Sequence, residues 1–360
     1  MEMTLRWYGP GYDSVGLEQI RQIPGVKGVV TTLMGKQPGE VWEKEEILGL
    51  KAEVEKAGLL VKGIESVNIS DDIKIGTKKR DQHIENYITT LENLGEAGIT
   101  MVCYNFMPVF DWTRTDLARK RSDGATVLAY DQAVVDQLDP AHLRSSVTRM
   151  AEGYTMPGWE PERLDKLEEL FEAYQDVDGE KLFASLVYFL EAIGPVCEKY
   201  DIHMGIHPDD PAWPIFGLAR IITGKDQIVR LLKAVDKPYN GITLCTGSLG
   251  SNPKNDICQI IRAAAGRIPF AHVRNLRYNH TGDFEEAAHL SEDGSMDMYQ
   301  IVKTLYETGF DGIIRPDHGR MIWGEQAMPG YGLYDRALGA VYLEGLWEAI
   351  KKADSESKKG

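Results

Sequence analysis

The sequence lacks the features that mark an exported, membrane-bound or disulfide-stabilised protein. Its four cysteines, Cys103, Cys197, Cys245 and Cys258, include no closely spaced CxxC pair, so neither a disulfide framework nor a structural zinc site is indicated. The N-terminus has no basic segment followed by an apolar run, and no stretch approaches the roughly 20 apolar residues of a membrane-spanning helix. We therefore expect a cytoplasmic protein with reduced thiols and no membrane partner.

Positive charge is also scarce, with 40 basic against 55 acidic residues and a net charge of -15. This balance works against a nucleic-acid partner, and an anionic substrate would have to be held by local positive charge. The hydrophobic fraction of 43% is ordinary for a globular protein and allows a sizeable core. We expect residues 1–360 to form one domain, because barrel folds commonly reach this length.

Short apolar or β-branched runs alternate with helix-period segments such as EEILGLKAEVEKAG and DQIVRLLKAV. No GxGxxG motif follows the first strand, which argues against an open doubly wound sheet. The alternation predicts an α/β fold, a (β/α)8 TIM barrel. Its strands are predicted near residues 4–8, 27–33, 59–65, 99–106, 203–207, 241–246, 268–276 and 310–316.

The alternation of strands and helices is interrupted at residues 107–200, a segment too long for an ordinary connection between strand and helix. We interpret it as an insertion after strand 4, containing a hairpin around Asp123 and Gly124 and then helical stretches. Because it follows the C-terminal end of a barrel strand, it lies on the face where such barrels place their active sites. It could serve as a lid over the active site. Alternatively, it could be a structural segment or one that forms an oligomer contact.

Four consecutive predicted strands each carry a metal-ligand residue type near the C-terminal end. Barrel closure brings those ends toward one axis, so we expect the four side chains to share a metal ion. Two imidazoles, a thiolate and a carboxylate suit Zn, Fe(II), Co or Mn better than Mg or Ca, which prefer oxygen alone. The residues are His207 in IHPDDP, Cys245 in LCTG, His272 in AHVRN and Asp317 in RPDHGR.

Basic and amide side chains follow His272 on the same segment. Arg274 should share its inward face, and Asn275 and Arg277 continue into the loop. Fixed arginines favour a carboxylate or phosphate substrate through bidentate hydrogen bonds, so we interpret the three residues as substrate-binding candidates. An ion pair at the barrel mouth is the alternative for Arg274.

Candidate proton carriers lie near strand 8. His318 would point away from the cavity if the strand continued, but at a strand-to-loop junction it could act as a general acid or base. The loop MPGYGLYDR offers Tyr331 and Tyr334, one of which could reach the site. Asp209 and Asp210 either orient the ring of the preceding ligand histidine or form a solvated turn.

Across nearly its whole length the sequence resembles mannonate dehydratase of the glucuronate-degrading type, a barrel related in fold to xylose isomerase. The resemblance runs from LRWYGP through IHPDDP, AHVRN and RPDHGR to GYGLYDRALG. The lysine, histidine and carboxylate arrangement of the enolase-type acid-sugar dehydratases is absent from this pattern.

The resemblance implies dehydration of D-mannonate to 2-keto-3-deoxy-D-gluconate with Mn(II) or Fe(II). It implies that the four candidate ligands are the metal ligands and that His318 and Tyr331 belong to the catalytic neighbourhood. We expect these two residues, together with Asp317, to share proton transfer, with acid and base unassigned. The oligomeric state is left open, with a homodimer or higher homo-oligomer among the expected assemblies.

Three other functions compete with this interpretation. A metal-dependent sugar isomerase on the same barrel would yield a product of unchanged mass. A metal-dependent endonuclease would need a basic stripe that the acidic composition does not provide. A catalytically dead sugar-acid sensor would keep the pocket but show no metal-dependent turnover.

Overall fold

The computed structural model of the protein describes residues 1–137, 165–280 and 282–358. Within these ranges the strands, in chain order, are β1 (Glu2–Arg6), β2 (Val26–Thr31), β3 (Leu60–Glu65), β4 (Met101–Tyr104), β5 (Asp116–Lys120), β6 (Thr126–Tyr130), β7 (His203–Ile206), β8 (Asn240–Cys245), β9 (Phe270–His272), β10 (Leu276–His280), β11 (Asp283–Glu286) and β12 (Ile313–Arg315).

The helices of the same ranges are α1 (Leu17–Arg21), α2 (Lys44–Lys56), α3 (Asp71–Ile75), α4 (Arg80–Glu96), α5 (Gln132–Asp136), α6 (Leu167–Tyr174), α7 (Gly179–Tyr200), α8 (Lys225–Ala234), α9 (Thr246–Gly250), α10 (Ile257–Ala263), α11 (Met298–Glu307) and α12 (Tyr334–Ser357), with a short 3-10 turn at Ser291–Asp293. None of them is long and apolar enough to cross a membrane.

Eight strands close into a barrel in the order β1-β12-β9-β8-β7-β4-β3-β2, and all neighbouring pairs are parallel. This confirms the predicted TIM barrel, and each of the eight predicted strand segments overlaps a barrel strand. Parallel pairing places the carboxyl ends of all eight strands at one mouth, where side chains from distant parts of the sequence meet.

The remaining four strands form a separate antiparallel sheet in the order β10-β11-β6-β5. The β5–β6 hairpin around Asp123 and Gly124 confirms the prediction for the segment after strand 4. The β10–β11 hairpin was not predicted, and it pairs with β6 through Phe284 and Tyr130. The segment after strand 7 of the barrel therefore joins the inserted sheet instead of forming a loop.

Part of the segment 107–200 belongs to the barrel wall. The long helix α7 packs against α4 and leads through Asp201, which has left-handed backbone (φ 55°), directly into β7. Residues 138–164 of the predicted lid lie outside the described residues. The limits of the insertion and its function as a lid therefore stay predictions.

The barrel interior is filled by its own small apolar cluster. It consists of Val30, Met101, Cys103, Phe270 and Ile313, while a larger cluster packs the helices against the outside of the strands. Cys103 also lines the cavity at the mouth of the barrel. The apolar cluster therefore forms the bottom of the cavity.

Candidate active site

A cavity opens at the carboxyl ends of the barrel strands. Side chains from the ends of β1, β3 and β4 face it together with residues that follow β7, β9 and β12, so residues far apart in the sequence share one space. The residues that line it are Arg6, Tyr8, Glu65, Ser66, Cys103, Tyr104, Asn105, Met107, Asp111, Trp112, His207, Asp210, Arg274, Arg315, Asp317, His318 and Tyr331.

Three of the four predicted metal ligands form one tight group. The ligand atoms of His207, Cys245 and His272 all lie within 4.8 Å of one another. They stand at the ends of the adjacent strands β7, β8 and β9, so the register of the barrel brings them together. An arrangement of two imidazoles and a thiol at this spacing could hold a divalent metal ion.

The ring of His207 is oriented by its own segment. Nδ1 lies 2.7 Å from the carbonyl oxygen of Pro208, an arrangement that puts the proton on Nδ1 and leaves Nε2 as a ligand atom. Burial alone would lower the pKa of His207, but the hydrogen bond and charge of Cys245, with smaller contributions from Glu65 and Asp317, raise it to about 9. The negatively charged surroundings that stabilise a proton on His207 would also stabilise a bound metal cation.

Cys245 ends β8 and is fully buried. Ser248 donates to its Sγ from the backbone amide at 3.4 Å and from the hydroxyl at 3.0 Å. The sulfur therefore acts as a hydrogen-bond acceptor at the start of α9, which is the role that a thiolate ligand would need.

His272 differs from His207 in its surroundings. Burial, together with the nearby charge of Arg315, lowers the pKa of His272 well below its ordinary value, so its imidazole is neutral. Its Nε2 has no hydrogen-bond partner among the described residues and lies 3.6 Å from Oε2 of Glu65. A neutral, buried imidazole with an uncommitted nitrogen suits metal ligation.

A second group, Glu65, Cys103 and His272, also has its ligand atoms within 4.8 Å of one another. Arg315 lies 2.7 Å from Oε2 of Glu65, however, and its positive charge opposes a cation at that position. Burial also raises the pKa of the Cys103 thiol well above its ordinary value. The first group is therefore the better metal site.

Asp317 lies beside the three-residue group but outside it. One of its oxygens is 3.7 Å from Sγ of Cys245 and the other 3.7 Å from Nδ1 of His272. Its carboxylate already faces Nη2 of Arg315 at 2.7 Å and Nε of Arg274 at 2.9 Å. It could complete a metal site only by sharing its oxygens with these arginines.

The charge state of Asp317 argues against the proton-transfer role predicted for it. Burial would raise the pKa of Asp317, but the neighbouring His318 and the guanidinium groups of Arg315 and Arg274 hold it well below the usual range. A carboxylate whose pKa is held this low is a weak general base near neutral pH, and its part in proton transfer stays a prediction.

Asp317 has left-handed backbone (φ 62°), which ends the strand direction of β12 and turns the next residue toward the cavity. His318 accordingly lines the cavity, with Nε2 3.0 Å from Oη of Tyr331 and Nδ1 3.4 Å from Oε1 of Glu286. Burial raises the pKa of Tyr331 well above its ordinary value, so the phenol keeps its proton. Tyr334 is 43% exposed and packs against Trp323, so of the two predicted tyrosines Tyr331 is the one that reaches the site.

Arg274 lines the cavity as predicted, but its guanidinium is surrounded by carboxylates. It pairs with Asp210, at 2.7 Å, and with Glu286, and its Nε faces Asp317. The alternative of an ion pair at the barrel mouth therefore describes this residue. Asp210 bridges Arg274 to Arg114 and does not orient a ligand histidine.

Asn275 and Arg277, predicted to bind substrate, are not among the residues that line the cavity. Asn275 is buried and binds backbone groups of Leu290 and Met296. Arg277 donates to the carbonyl and carboxylate oxygens of Asp293. The physical reason is that β9 ends at His272, and the chain then enters the antiparallel sheet instead of continuing along the barrel mouth.

Several cavity residues were missed from the sequence. Arg6 and Glu65 end β1 and β3, so the strand-end rule that found the histidines could also have found them. Trp112 comes from the inserted segment, and no local sequence signal places it at the site. The same holds for Glu286 of the unpredicted β11, which does not line the cavity but contacts His318.

The chain matches the D-mannonate dehydratase (UxuA) family over residues 1–357. It is similar to the mannonate dehydratase of Brachyspira hyodysenteriae, with 64% identity over 352 residues that cover 98% of this chain and 99% of that relative. The crystal structure of mannonate dehydratase from Streptococcus suis serotype 2 has a TM-score of 0.89 and 45% identity, and the match covers 98% of this chain and 96% of that chain.

A more distant likeness concerns the fold alone. A xylose isomerase domain protein from Planctomyces limnophilus has a TM-score of 0.56 at 13% identity, with 98% of this chain and 99% of that chain covered. The barrel is thus a xylose isomerase-like TIM barrel.

Proposed function

This chain belongs to the D-mannonate dehydratase family, and from that premise we propose that it dehydrates D-mannonate to 2-keto-3-deoxy-D-gluconate, in glucuronate catabolism, with a divalent metal ion at the barrel mouth. The enzyme is a hydro-lyase. The observation that supports the metal-dependent form of this reaction is the group of His207, Cys245 and His272 at adjacent strand ends, next to the His318–Tyr331 pair.

The donor set fits a metal ion of intermediate softness. His207, Cys245 and His272 would hold it, with Asp317 as the fourth ligand beside Cys245 and His272. We propose Mn(II) or Fe(II), because a mixed nitrogen, sulfur and oxygen set disfavours Mg and Ca. When bound, the metal supplies positive charge that stabilises the negative charge developing on the substrate as the C2 proton leaves.

Proton transfer is assigned to His318 and Tyr331. The carboxylate of Glu286 faces Nδ1 of His318, which favours a proton on Nδ1 and leaves Nε2 to accept one. His318 then removes the proton from C2 of the substrate. Tyr331, whose phenol is protonated, donates a proton to the hydroxyl that departs from C3, and one molecule of water is lost.

The test removes and restores the metal. Purified enzyme is stripped with a chelator, reloaded anaerobically with Mn(II), Fe(II) or Mg(II), and assayed with D-mannonate for keto-deoxy acid by mass spectrometry. We expect activity to disappear on stripping and to return with Mn(II) or Fe(II) and not with Mg(II). Full activity in the metal-free protein, or a product of unchanged mass, would contradict the proposal.

We further infer a cytoplasmic location and a homo-oligomeric assembly. The first is supported by the four cysteines, which are free thiols, and the second by apolar side chains exposed on one stretch of α12, Leu338 and Val341, beside Trp323 and Tyr334. Cell fractionation and light scattering of the purified protein test the two inferences separately.

A further inference from the structure

We propose that Arg6, at the carboxyl end of β1, binds the carboxylate of the substrate. This inference rests on the proposed function, since it concerns how the sugar acid is held in the same cavity. It replaces the substrate contacts that the sequence had suggested for Arg274, Asn275 and Arg277.

Of the arginines in the described part of the chain, three line the cavity, and two of them are already neutralised by carboxylates. Arg274 is enclosed by Asp210, Glu286 and Asp317. Arg315 pairs with Asp317 at 2.7 Å and with Glu65 at 2.7 Å. A substrate carboxylate would have to displace buried protein carboxylates to bind either of them, at a large cost in broken charged hydrogen bonds.

Arg6 is different. Among the residues that the structure describes, no carboxylate lies within 4.0 Å of its guanidinium, and its side chain makes one hydrogen bond, from Nη1 to the carbonyl oxygen of Val30 at 3.3 Å. Arg6 is nevertheless 95% buried, with a relative exposure of 5%. A buried arginine presents several donors in a fixed fork, and an uncompensated one at a cavity wall calls for an anion from solution.

The position of Arg6 fits the carboxylate end of a sugar acid. Its Cζ lies 4.2 Å above the ring of Tyr8, Tyr8 packs edge-to-face on Tyr331 with ring centroids 5.0 Å apart, and Tyr331 contacts His318. The proton to be removed is on C2, one bond from the carboxylate carbon. A carboxylate held at Arg6 therefore keeps C2 and C3 on the side of the cavity where the proton carriers stand.

The carboxylate is the only charged group of an aldonic acid, so its neutral amide isolates the contribution of Arg6. We would compare wild type, Arg6→Gln and Arg6→Lys, each loaded with Mn(II) and checked for metal content. The measurements are kcat and KM for D-mannonate, the inhibition constant of D-mannonamide, and calorimetric titration of both compounds. Arg119→Gln, which removes a surface arginine paired with Asp131, is the matched charge control.

We expect Arg6→Gln to raise KM for D-mannonate on the order of 30-fold or more, because a charged hydrogen-bonded pair is lost. The KM of Arg6→Lys should lie between those of wild type and Arg6→Gln, since lysine keeps the positive charge but lacks the forked guanidinium. The affinity for D-mannonamide should change little in either variant, and Arg119→Gln should behave as wild type.

An unchanged KM in Arg6→Gln would overturn the inference. So would an equal loss of affinity for D-mannonate and D-mannonamide, because that result indicates a structural role for Arg6 against Val30. If the wild-type enzyme turned over no hexonate, the proposed function would fail by itself, and calorimetric titration would still decide whether carboxylate binding depends on Arg6.

Discussion

The imidazole of His318 stands between Tyr331 and Glu286, with Nε2 3.0 Å from the phenolic oxygen and Nδ1 3.4 Å from the carboxylate. The two ring nitrogens thus face groups of opposite hydrogen-bonding character. A neutral phenol donates and a carboxylate accepts, so the pair of contacts selects one tautomer of the imidazole.

Replacing His318 with asparagine should therefore remove proton transfer and leave metal binding intact. We expect kcat to fall by roughly 100- to 10,000-fold, the range typical for loss of a general acid or base. Keto-deoxy acid formation and metal analysis by mass spectrometry measure the two properties on the same sample. A variant with near-normal turnover would remove His318 from the mechanism.

Cys245→Ser should weaken metal binding, because a serine hydroxyl keeps its proton and offers a harder donor than a thiolate. We expect the affinity for Mn(II) or Fe(II) to fall at least about 10-fold, as measured by competition with a chromogenic chelator. Cys258→Ser is the control, since Cys258 lies on α10, away from the cavity. Equal affinities in the two variants would mean that Cys245 is not a ligand.

Glu286 supports a prediction about acid stability. Burial would raise its pKa, but Arg274, His318 and Arg114 lower it to about 2 from an ordinary value of 4.5. A carboxylate with a lowered folded-state pKa stabilises the native state above the unfolded-state value, and this contribution is lost as the pH falls through about 2.

Glu286→Gln lacks this contribution at every pH. The difference in unfolding free energy between wild type and variant, from urea titrations, should be largest near neutral pH, on the order of 3 kcal/mol, and shrink between about pH 4.5 and pH 2. If the difference in unfolding free energy did not depend on pH, the pKa of Glu286 would be the same in the folded and unfolded states. At neutral pH we also expect a lower kcat with the KM for D-mannonate maintained, because the glutamine no longer favours one tautomer of His318.

The barrel and its ligand group were accessible from the sequence because they depend on short-range patterns. Each of β7, β8 and β9 shows a run of apolar residues that ends at His207, Cys245 or His272, and parallel pairing then brings those ends together. Strand periodicity and closure were sufficient, and no long-range side-chain contact had to be known.

The surroundings of Arg274 could not be predicted in the same way. Its charge is balanced by Asp210, which follows β7, and by Glu286, which belongs to a hairpin that joins the inserted sheet. The sequence around Asn275 continued the strand pattern, and only the assembled antiparallel sheet shows that the chain leaves the barrel there. Arg6 remained unnoticed because its significance lies in the absence of a nearby carboxylate among the described residues.

The buried ion pairs around Arg114 connect the inserted sheet to the barrel. The guanidinium of Arg114 is fully buried and contacts Asp210 at 2.7 Å and Glu286 at 2.9 Å. Asp210 follows a barrel strand, whereas Glu286 ends β11, so one side chain holds the two sheets together. Removing a single partner of a buried ion pair leaves the other charges uncompensated in a medium of low polarity.

Arg114→Met should therefore destabilise the protein by about 3–5 kcal/mol in urea unfolding, although methionine fills a similar space. Arg119→Met, which breaks a partly exposed pair with Asp131 on the same hairpin, should lower the free energy of unfolding by less than about 1 kcal/mol. The remaining charge of Arg274 cannot balance both acids, so we also expect His318 to lose its fixed orientation and kcat to fall. Equal stability losses in the two variants would mean that water reaches the Arg114 cluster and screens its ion pairs.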